Sequence, residues 1–452
     1  PITKYAVQVY DGEQLKLELA KAYDIAISNR MGPVLIDVPM NVQKEEIENL
    51  TENLFQQKID QDVLGDESGK IVEQISIDFK NAKRPLVLFG AGIGLAGVAD
   101  QVSKWIQLKN IPFVSSWGGA AYFNHDIPEY CGNIGVYGNR GANYIIQNCD
   151  YLLVLGSRLD SRQRSGNPDS FAPKAKVQVL DIDIEELKKY SPSQYQIFNL
   201  DLKLFPKIMD SINIPKLEES WHNYVLLMKE KYFGKNISTF ALKNNSLSPY
   251  QVVEKINKII NDDAIVIPEC GANLCWVYQI FHRKNHTIFT SFGNSPMGFT
   301  LPASIGASLF ANGRQVIGIL GDGGFQMNIQ ELQTMVHYNL DIKIVILNNF
   351  GYGIIKQFQD SYFQSRYEAT GRGYSQPSIR RIAKAYKIDY VPISTLHDIT
   401  PENFSAPGLR IFEVFLDPNT LIEPKLEMGE PINNQFPYLP KKEIEEGNQF
   451  IG

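Results

Sequence analysis

The sequence predicts an α/β protein built of successive doubly wound parallel-sheet domains. Three observations carry this. Short apolar runs of strand length alternate with stretches of helical periodicity through most of the chain, the pattern of a mostly parallel sheet with helices on both faces. Several of those runs end in glycine-rich turns, as at Gly90-Ala-Gly-Ile-Gly94 and Gly321-Asp-Gly-Gly324. The length of 452 residues suits about three domains at ~150 residues each.

Taken in order, Gly12 to Ile27 places Leu15, Leu19, Ala22 and Ala26 at helical spacing, and Arg30-Met-Gly-Pro33 breaks that helix. Val34–Val38 then reads as a short buried strand. One helix and one strand cannot make a core, and an unpaired buried strand would leave a sticky edge. Residues 1–45 therefore read as the tail of a domain whose front half lies upstream. Residues 46–70 are polar and read as a linker. From 71 to 213, strands are expected at Pro85–Phe89, Ile111–Ser115, Tyr151–Leu155 and Lys176–Leu180, with a helix ending near Lys109. Residues 214–247 read as a second, charged linker with a helix. From 248 to 421 the alternation resumes, with strands at Ala264–Ile267, Val316–Leu320, Ile342–Leu347 and Leu409–Val414. Residues 422–452 read as an extended arm over the surface.

Composition excludes several function classes. Hydrophobic residues make up 44% and charged residues 21%, and the net charge is −6. An acidic chain has no bulk attraction for nucleic acid or anionic membrane, so an anionic ligand must be held locally. No apolar run reaches membrane-spanning length. The cysteines Cys131, Cys149, Cys270 and Cys275 form no C-x-x-C pair, which favours a reducing compartment, the cytoplasm.

The chemistry concentrates between Val316 and Gly353. A buried strand ends in Gly321-Asp-Gly-Gly324. One helix is expected next, with Phe325, Ile329, Leu332 and Val336 on its inner face. A second buried strand ends in Asn348-Asn349, followed by Phe350-Gly-Tyr-Gly353. In such a right-handed β-α-β unit both strands present their carboxyl ends at one sheet edge, where open α/β sheets bind ligands. Asp322 and Asn349 then stand side by side, and glycines open the backbone to a phosphate at a helix start. A carboxylate and an amide oxygen beside phosphate suit Mg²⁺, which takes few protein ligands. The layout predicts a metal-bridged diphosphate. Either motif alone would be ordinary turn chemistry.

These residues resemble the thiamine-diphosphate-dependent enzymes. The run from Gly321 to Leu332, Gly-Asp-Gly-Gly-Phe-Gln-Met-Asn-Ile-Gln-Glu-Leu, is similar to the acetolactate synthase (acetohydroxyacid synthase) branch. Arg30 to Pro39 resembles the end of that family's pyrimidine-binding domain, and Ser295 to Ala303 the segment that meets the thiazolium. The resemblance implies that Asp322, Asn349 and the carbonyl of Gly351 bind Mg²⁺. It implies that Gly321, Gly323, Gly324, Tyr352, Gly353 and Ile354 line the diphosphate, with Cys270, Gly271, Ala272 and Asn273 on a neighbouring strand-end loop. Met297 would hold the cofactor bent, with the carbonyl of Ser295 on its 4′-amino nitrogen. The activity implied is decarboxylation of a 2-keto acid, pyruvate first, and transfer of the acyl unit to an acceptor carbonyl. The family's activating glutamate falls upstream of this sequence; neither Glu13 nor Glu18 takes its place, so these residues alone are expected not to turn over. The family pattern further implies a homodimer or homotetramer, with the cofactor between two chains.

Gly90-Ala-Gly-Ile-Gly94 does not fit G-x-G-x-x-G, and no acidic residue ends the next strand, which speaks against NAD. The family implies FAD instead. Gly156-Ser157-Arg158-Leu-Asp160-Ser-Arg162 resembles its flavin-binding strand end, the arginines meeting the pyrophosphate. Asp181 and Ile182 fall at the adenosine, and Gly90, Ala91, Gly92, Ser116, Trp117, Gly135, Val136 and Tyr137 fall along the flavin. Two departures bear on the reaction. Phe358 stands where branched-chain members carry the tryptophan that selects the acceptor, and Val136-Tyr137 replaces Met-His. A carboligase acting on a keto-sugar or another ketone, a decarboxylase or lyase, and a non-catalytic assembly subunit all remain open on the sequence.

Overall fold

A computed structural model describes residues 2–46, 67–232 and 246–448. Most of the expected first linker, part of the second and the last four residues lie outside the described residues. Among the described residues there are three parallel sheets. The first pairs β1 (Tyr5–Gln8) with β2 (Val34–Asp37) across the helix Gly12–Ile27. Asp11 caps that helix, its carboxylate accepting from the Gln14 N–H. Leu19 on the expected inner face is instead 45% exposed, because this small sheet offers little to pack against.

The second sheet contains β3 (Pro85–Phe89), β4 (Phe113–Ser115), β5 (Tyr130–Asn133), β6 (Tyr151–Leu155), β7 (Lys176–Asp181) and β8 (Tyr195–Asn199). Its order is β5-β4-β3-β6-β7-β8, the arrangement of a doubly wound dinucleotide-binding sheet, with the reversal between β3 and β6. Alternate residues serve opposite cores, as a pleated strand requires. Leu86, Leu88, Leu152 and Val154 enter one cluster, and Val87, Phe89, Leu153 and Leu155 the other. The helix Glu219–Tyr232, expected within the second linker, packs Trp221, Tyr224, Val225 and Met228 into the first of these clusters.

The third sheet contains β9 (Ile265–Pro268), β10 (Thr287–Ile288), β11 (Val316–Gly321), β12 (Ile342–Asn348), β13 (Asp389–Ile393) and β14 (Arg410–Phe415), ordered β10-β9-β11-β12-β14-β13. Its reversal lies between β9 and β11. The strands expected from continuous apolar runs are present within a residue or two. Those not foreseen, such as β5 and β13, contain polar residues, glycine or proline.

Two expectations need correction. The single helix after Gly324 is two, Asp322–Met327 and Glu331–His337. The break falls where the Asn328 side chain turns away to donate to Gly298 O at 2.8 Å. As a result Met335, not Val336, completes the buried face with Phe325 and Leu332. The C-terminal arm is also no loose surface strand: Ile422, Leu426, Ile432 and Gln435 are all within 1% of full burial. It ties the two large sheets together. Ile422 exchanges backbone bonds with the Gln357 amide, Leu426 N donates to Val136 O, and Asn143 and Arg140 donate to arm carbonyls.

Candidate functional site

The third sheet brings three turns together at its reversal. β11 and β12 run in register with Gly321 opposite Leu347, so Asp322 and Asn349 stand at adjacent strand tips, 1% and 5% exposed. One terminus of the Asn349 amide lies 3.0 Å from Gly351 O and 3.3 Å from Asp322 Oδ1. With its oxygen facing them, three oxygen atoms converge with no proton between them. Such a set either turns the amide to donate or encloses a cation. Asp322 argues for the cation. Burial pushes its pKa up to about 6, against the bonds it accepts from the Tyr374 hydroxyl and from nearby backbone N–H groups. Its partners are neutral donors, which do not offset the cost of a buried negative charge as a cation does. No cluster of three or more His, Cys, Asp or Glu suited to a metal exists among the described residues. A site of one carboxylate, one amide and one carbonyl is what a phosphate-bound Mg²⁺ uses.

The turn after β9 faces this group. Gly271, at φ +92°, begins the helix Ala272–Ile280, and Asn273 donates to Cys270 O at 2.8 Å while its Oδ1, buried, has no partner among the described residues. Ala272, Asn273, Gly321, Asn349 and Gly353 adjoin one another: a Cβ on Gly353 would lie 2.5 Å from Asn349 Nδ2 and 3.8 Å from Ala272 Cβ. Ile354 packs against the adjoining core. The predicted metal and diphosphate residues are thus brought together. The reason for two of the glycines differs from the expected one. A Cβ on Gly323 would meet the Tyr352 ring at 2.4 Å, and one on Gly324 would sit 1.5 Å from Glu269 Oε2. Neighbouring side chains, rather than a phosphate, fill that space.

Glu269 was invisible in the sequence. It is fully buried at the end of β9, and burial raises its pKa to about 7 although backbone N–H groups of Thr300, Gly298 and Phe299 face it. Its Oε2 has no partner among the described residues. It joins the glycine turn to the loop that carries Ser295 and Met297. Ser295 holds a left-handed φ of +50°, and Met297 is 37% exposed. Tyr374 was missed too: its hydroxyl donates to Asp322 Oδ2 at 2.7 Å. The two are 52 residues apart in the chain, so no local pattern could have linked them. Phe358 lies on the helix Gly353–Tyr362, 44% exposed, its ring 4.6 Å from that of Tyr362.

A second site occupies the reversal of the central sheet. A cavity of about 670 Å³ opens there, within the range of cofactor pockets. It is lined by Ala91, Gly92, Ser116, Trp117, Val136 and Tyr137, and by Gly156, Ser157, Arg158, Asp160, Arg162, Asp181 and Ile182. Gly90 and Gly135, expected on its wall, are not. A Cβ on Gly90 would lie 2.0 Å from Gly156 O, and one on Gly135 2.5 Å from Arg162 O, so both serve close backbone packing behind the wall. Arg158 lies 3.8 Å from Glu186. Arg162 makes no ion pair among the described residues. Asp160 spends one carboxylate oxygen on the N–H groups of Arg162 and Gln163. Asn29, Arg30 and Met31 reach the cavity from the first sheet, with Arg30 paired to Asp183; this was not foreseen.

Comparison with known proteins agrees with the geometry. Residues 269–405 match the C-terminal TPP-binding domain of thiamine pyrophosphate enzymes, and residues 72–203 match their central domain. The chain is 31% identical to the acetolactate synthase large subunit of Lactococcus lactis subsp. lactis (strain IL1403), over 87% of this chain and 67% of that protein. It is 29% identical to the acetolactate synthase isozyme 2 large subunit of Escherichia coli (strain K12), over 85% of this chain and 68% of that one. Identity to the large subunit of Cyanidium caldarium is 29%, over 98% of this chain and 76% of the relative.

Proposed function

Because this chain belongs to the acetolactate synthase family of thiamine pyrophosphate enzymes, we propose that it decarboxylates a 2-keto acid, pyruvate first, and joins the acyl unit to an acceptor carbonyl. Its class is that of thiamine-diphosphate-dependent carboligases acting on small molecules. The single observation that carries the site is the convergence of Asp322 Oδ1, Gly351 O and the Asn349 carboxamide at two adjacent strand tips.

Thiamine diphosphate supplies a carbon nucleophile and an electron sink. The chain's own residues do the rest. Asp322, Asn349 and Gly351 O would hold Mg²⁺, and the N–H groups opening the helix Ala272–Ile280 would face the diphosphate. The carboxamide oxygen of Asn273, buried without a partner among the described residues, fits a metal-bound water or a hydroxyl on that ligand. Met297 would brace the cofactor's bend and Ser295 O would accept from its amino group. FAD fits the central cavity: its wall lies at the sheet reversal where dinucleotides bind, and Arg162 offers a cation for a pyrophosphate. Phe358 would shape the acceptor side. Its place in the position of an acceptor-selecting tryptophan favours an acceptor other than a second 2-keto acid, a ketone or keto-sugar among them. The working assembly is a homodimer or homotetramer in the cytoplasm; among the described residues no helix is long and apolar enough to cross a membrane.

Incubation of the chain, joined to the upstream part of a pyrimidine-binding domain that carries the activating glutamate, with pyruvate, Mg²⁺ and thiamine diphosphate, with and without candidate ketones, tests this reading. Acetolactate or an acetylated ketone is the expected product, and acetaldehyde alone would transfer the chain to the decarboxylases. Asp322→Ala should abolish Mg²⁺-dependent cofactor binding in calorimetry, and unchanged affinity would contradict the metal assignment.

A further inference from the structure

We propose that Tyr374 makes the metal site selective for Mg²⁺ by restricting Asp322 to a one-oxygen ligand. The proposal rests on the metal reading above and goes beyond it. The two carboxylate oxygens of Asp322 have different surroundings. Oδ2 accepts from the Tyr374 hydroxyl at 2.7 Å. Oδ1 faces the Asn349 amide, 3.3 Å away, beside Gly351 O. Oδ2 is thus taken up by a hydroxyl donor, and Oδ1 is the oxygen on the side where the Asn349 amide and Gly351 O would meet an ion.

The donor is held in place from several sides. The Tyr374 ring meets that of Tyr352 edge-on at 4.8 Å and 71°, and the Tyr352 ring lies over Gly323. Gln376, two residues further on, donates to Asn348 Oδ1 at 3.0 Å, next to the ligand Asn349. At the other end of the segment, Thr370 O packs so closely on Gly351 that a Cβ there would lie 2.3 Å from it. The run from Thr370 to Gln376 therefore touches Asp322 and Gly351 directly, and Asn349 through its neighbour Asn348.

The consequence follows from ion size. Mg²⁺ demands a near-ideal octahedron at short distances, which a single carboxylate oxygen satisfies. Ca²⁺ accepts six to eight oxygens and readily takes both oxygens of one carboxylate. A phenol bonded to Oδ2 removes the two-oxygen option and fixes the angle of Oδ1, as partners of metal ligands commonly do. Tyr374 is a positioning residue and does not touch the ion.

The test is calorimetric titration of Mg²⁺ and, separately, Ca²⁺ into the full chain saturated with thiamine diphosphate. Wild type, Tyr374→Phe and Asp322→Ala are compared. Phe keeps the ring contact with Tyr352 and loses only the hydroxyl. In Tyr374→Phe the Mg²⁺ affinity should fall by about 10–100-fold, while Ca²⁺ affinity falls less or rises, so the preference for Mg²⁺ narrows by about tenfold or more. An unchanged Mg²⁺/Ca²⁺ ratio, with Asp322→Ala losing both ions, overturns the role of Tyr374 and leaves the metal site standing. Wild-type binding of both ions by Asp322→Ala overturns the metal site and the proposal with it.

Discussion

The two large sheets place their sites at the same topological position and fill them in opposite ways. In the central sheet the reversal between β3 and β6 is a void of about 670 Å³, bounded by backbone turns and by arginines at its rim. In the third sheet the reversal between β9 and β11 is crowded by the chain's own side chains. Glu269 sits on Gly324, Tyr352 on Gly323, and Tyr374 on Asp322. The difference teaches that one fold can leave backbone surface bare at one reversal and fix oxygens in a dry, braced shell at the other, the two arrangements that the proposed flavin and metal–diphosphate ligands would need.

The largest test of that contrast compares two glycines. A Cβ on Gly90 would collide with the backbone of Gly156 at 2.0 Å, whereas one on Gly324 would meet the end of a glutamate side chain at 1.5 Å. Paired backbone cannot step aside, and a side chain can. Gly90→Ala should therefore cost about 3 kcal/mol or more in urea unfolding, and Gly324→Ala about 1–3 kcal/mol. Adding Glu269→Ser to Gly324→Ala should recover part of the smaller loss through non-additivity. Equal costs at the two glycines would erase the distinction between a backbone-built and a side-chain-built site.

A pH experiment sharpens the same comparison. Glu269 has a pKa raised from 4.5 to about 7, chiefly by burial. A raised folded-state pKa means that the folded chain holds this proton more tightly than the unfolded chain. Its contribution is full below pH 4.5 and is lost as pH rises through about 7, a span worth roughly 2–4 kcal/mol. Without metal and cofactor, the stability of wild type relative to Glu269→Gln should fall by that amount between pH 4.5 and 7.5. A flat difference would mean that the buried carboxyl is not the proton's holder.

The smallest expected effect on stability belongs to the central site. Arg162 is exposed and makes no ion pair among the described residues. Arg162→Ala should leave the melting midpoint within about 0.5 kcal/mol of wild type while weakening flavin retention, read as the yellow absorbance that copurifies. A stability loss with undiminished flavin would assign Arg162 to structure instead.

Much of this could be read from the sequence because the relevant signals are local. Mostly apolar, β-branched runs of strand length such as Ile342–Leu347, broken only by Lys343, read as strands buried on both faces, and the residues just beyond them then stand at one sheet edge. That places Asp322 beside Asn349 without coordinates. What local pattern missed has a common cause. Glu269 looks like an ordinary acidic residue at a strand end until the helix Thr300–Phe310 closes over it. The break at Asn328 depends on a carbonyl 30 residues away. The arm from Ile422 reads as polar and irregular, yet its few apolar side chains find two cores at once.

The sequence by itself determined the alternating architecture, the pair of oxygen donors and the glycine turns, since periodicity and strand-end chemistry act within a few residues. Only the tertiary structure decided which oxygen of Asp322 the Tyr374 hydroxyl takes, why Gly323 and Gly324 lack side chains, and how the first sheet comes to border the central cavity through Arg30. Those facts depend on contacts between segments far apart in the chain. Burial there sets both the space available and the cost of an unmet charge, and neither quantity exists until the chain has closed on itself.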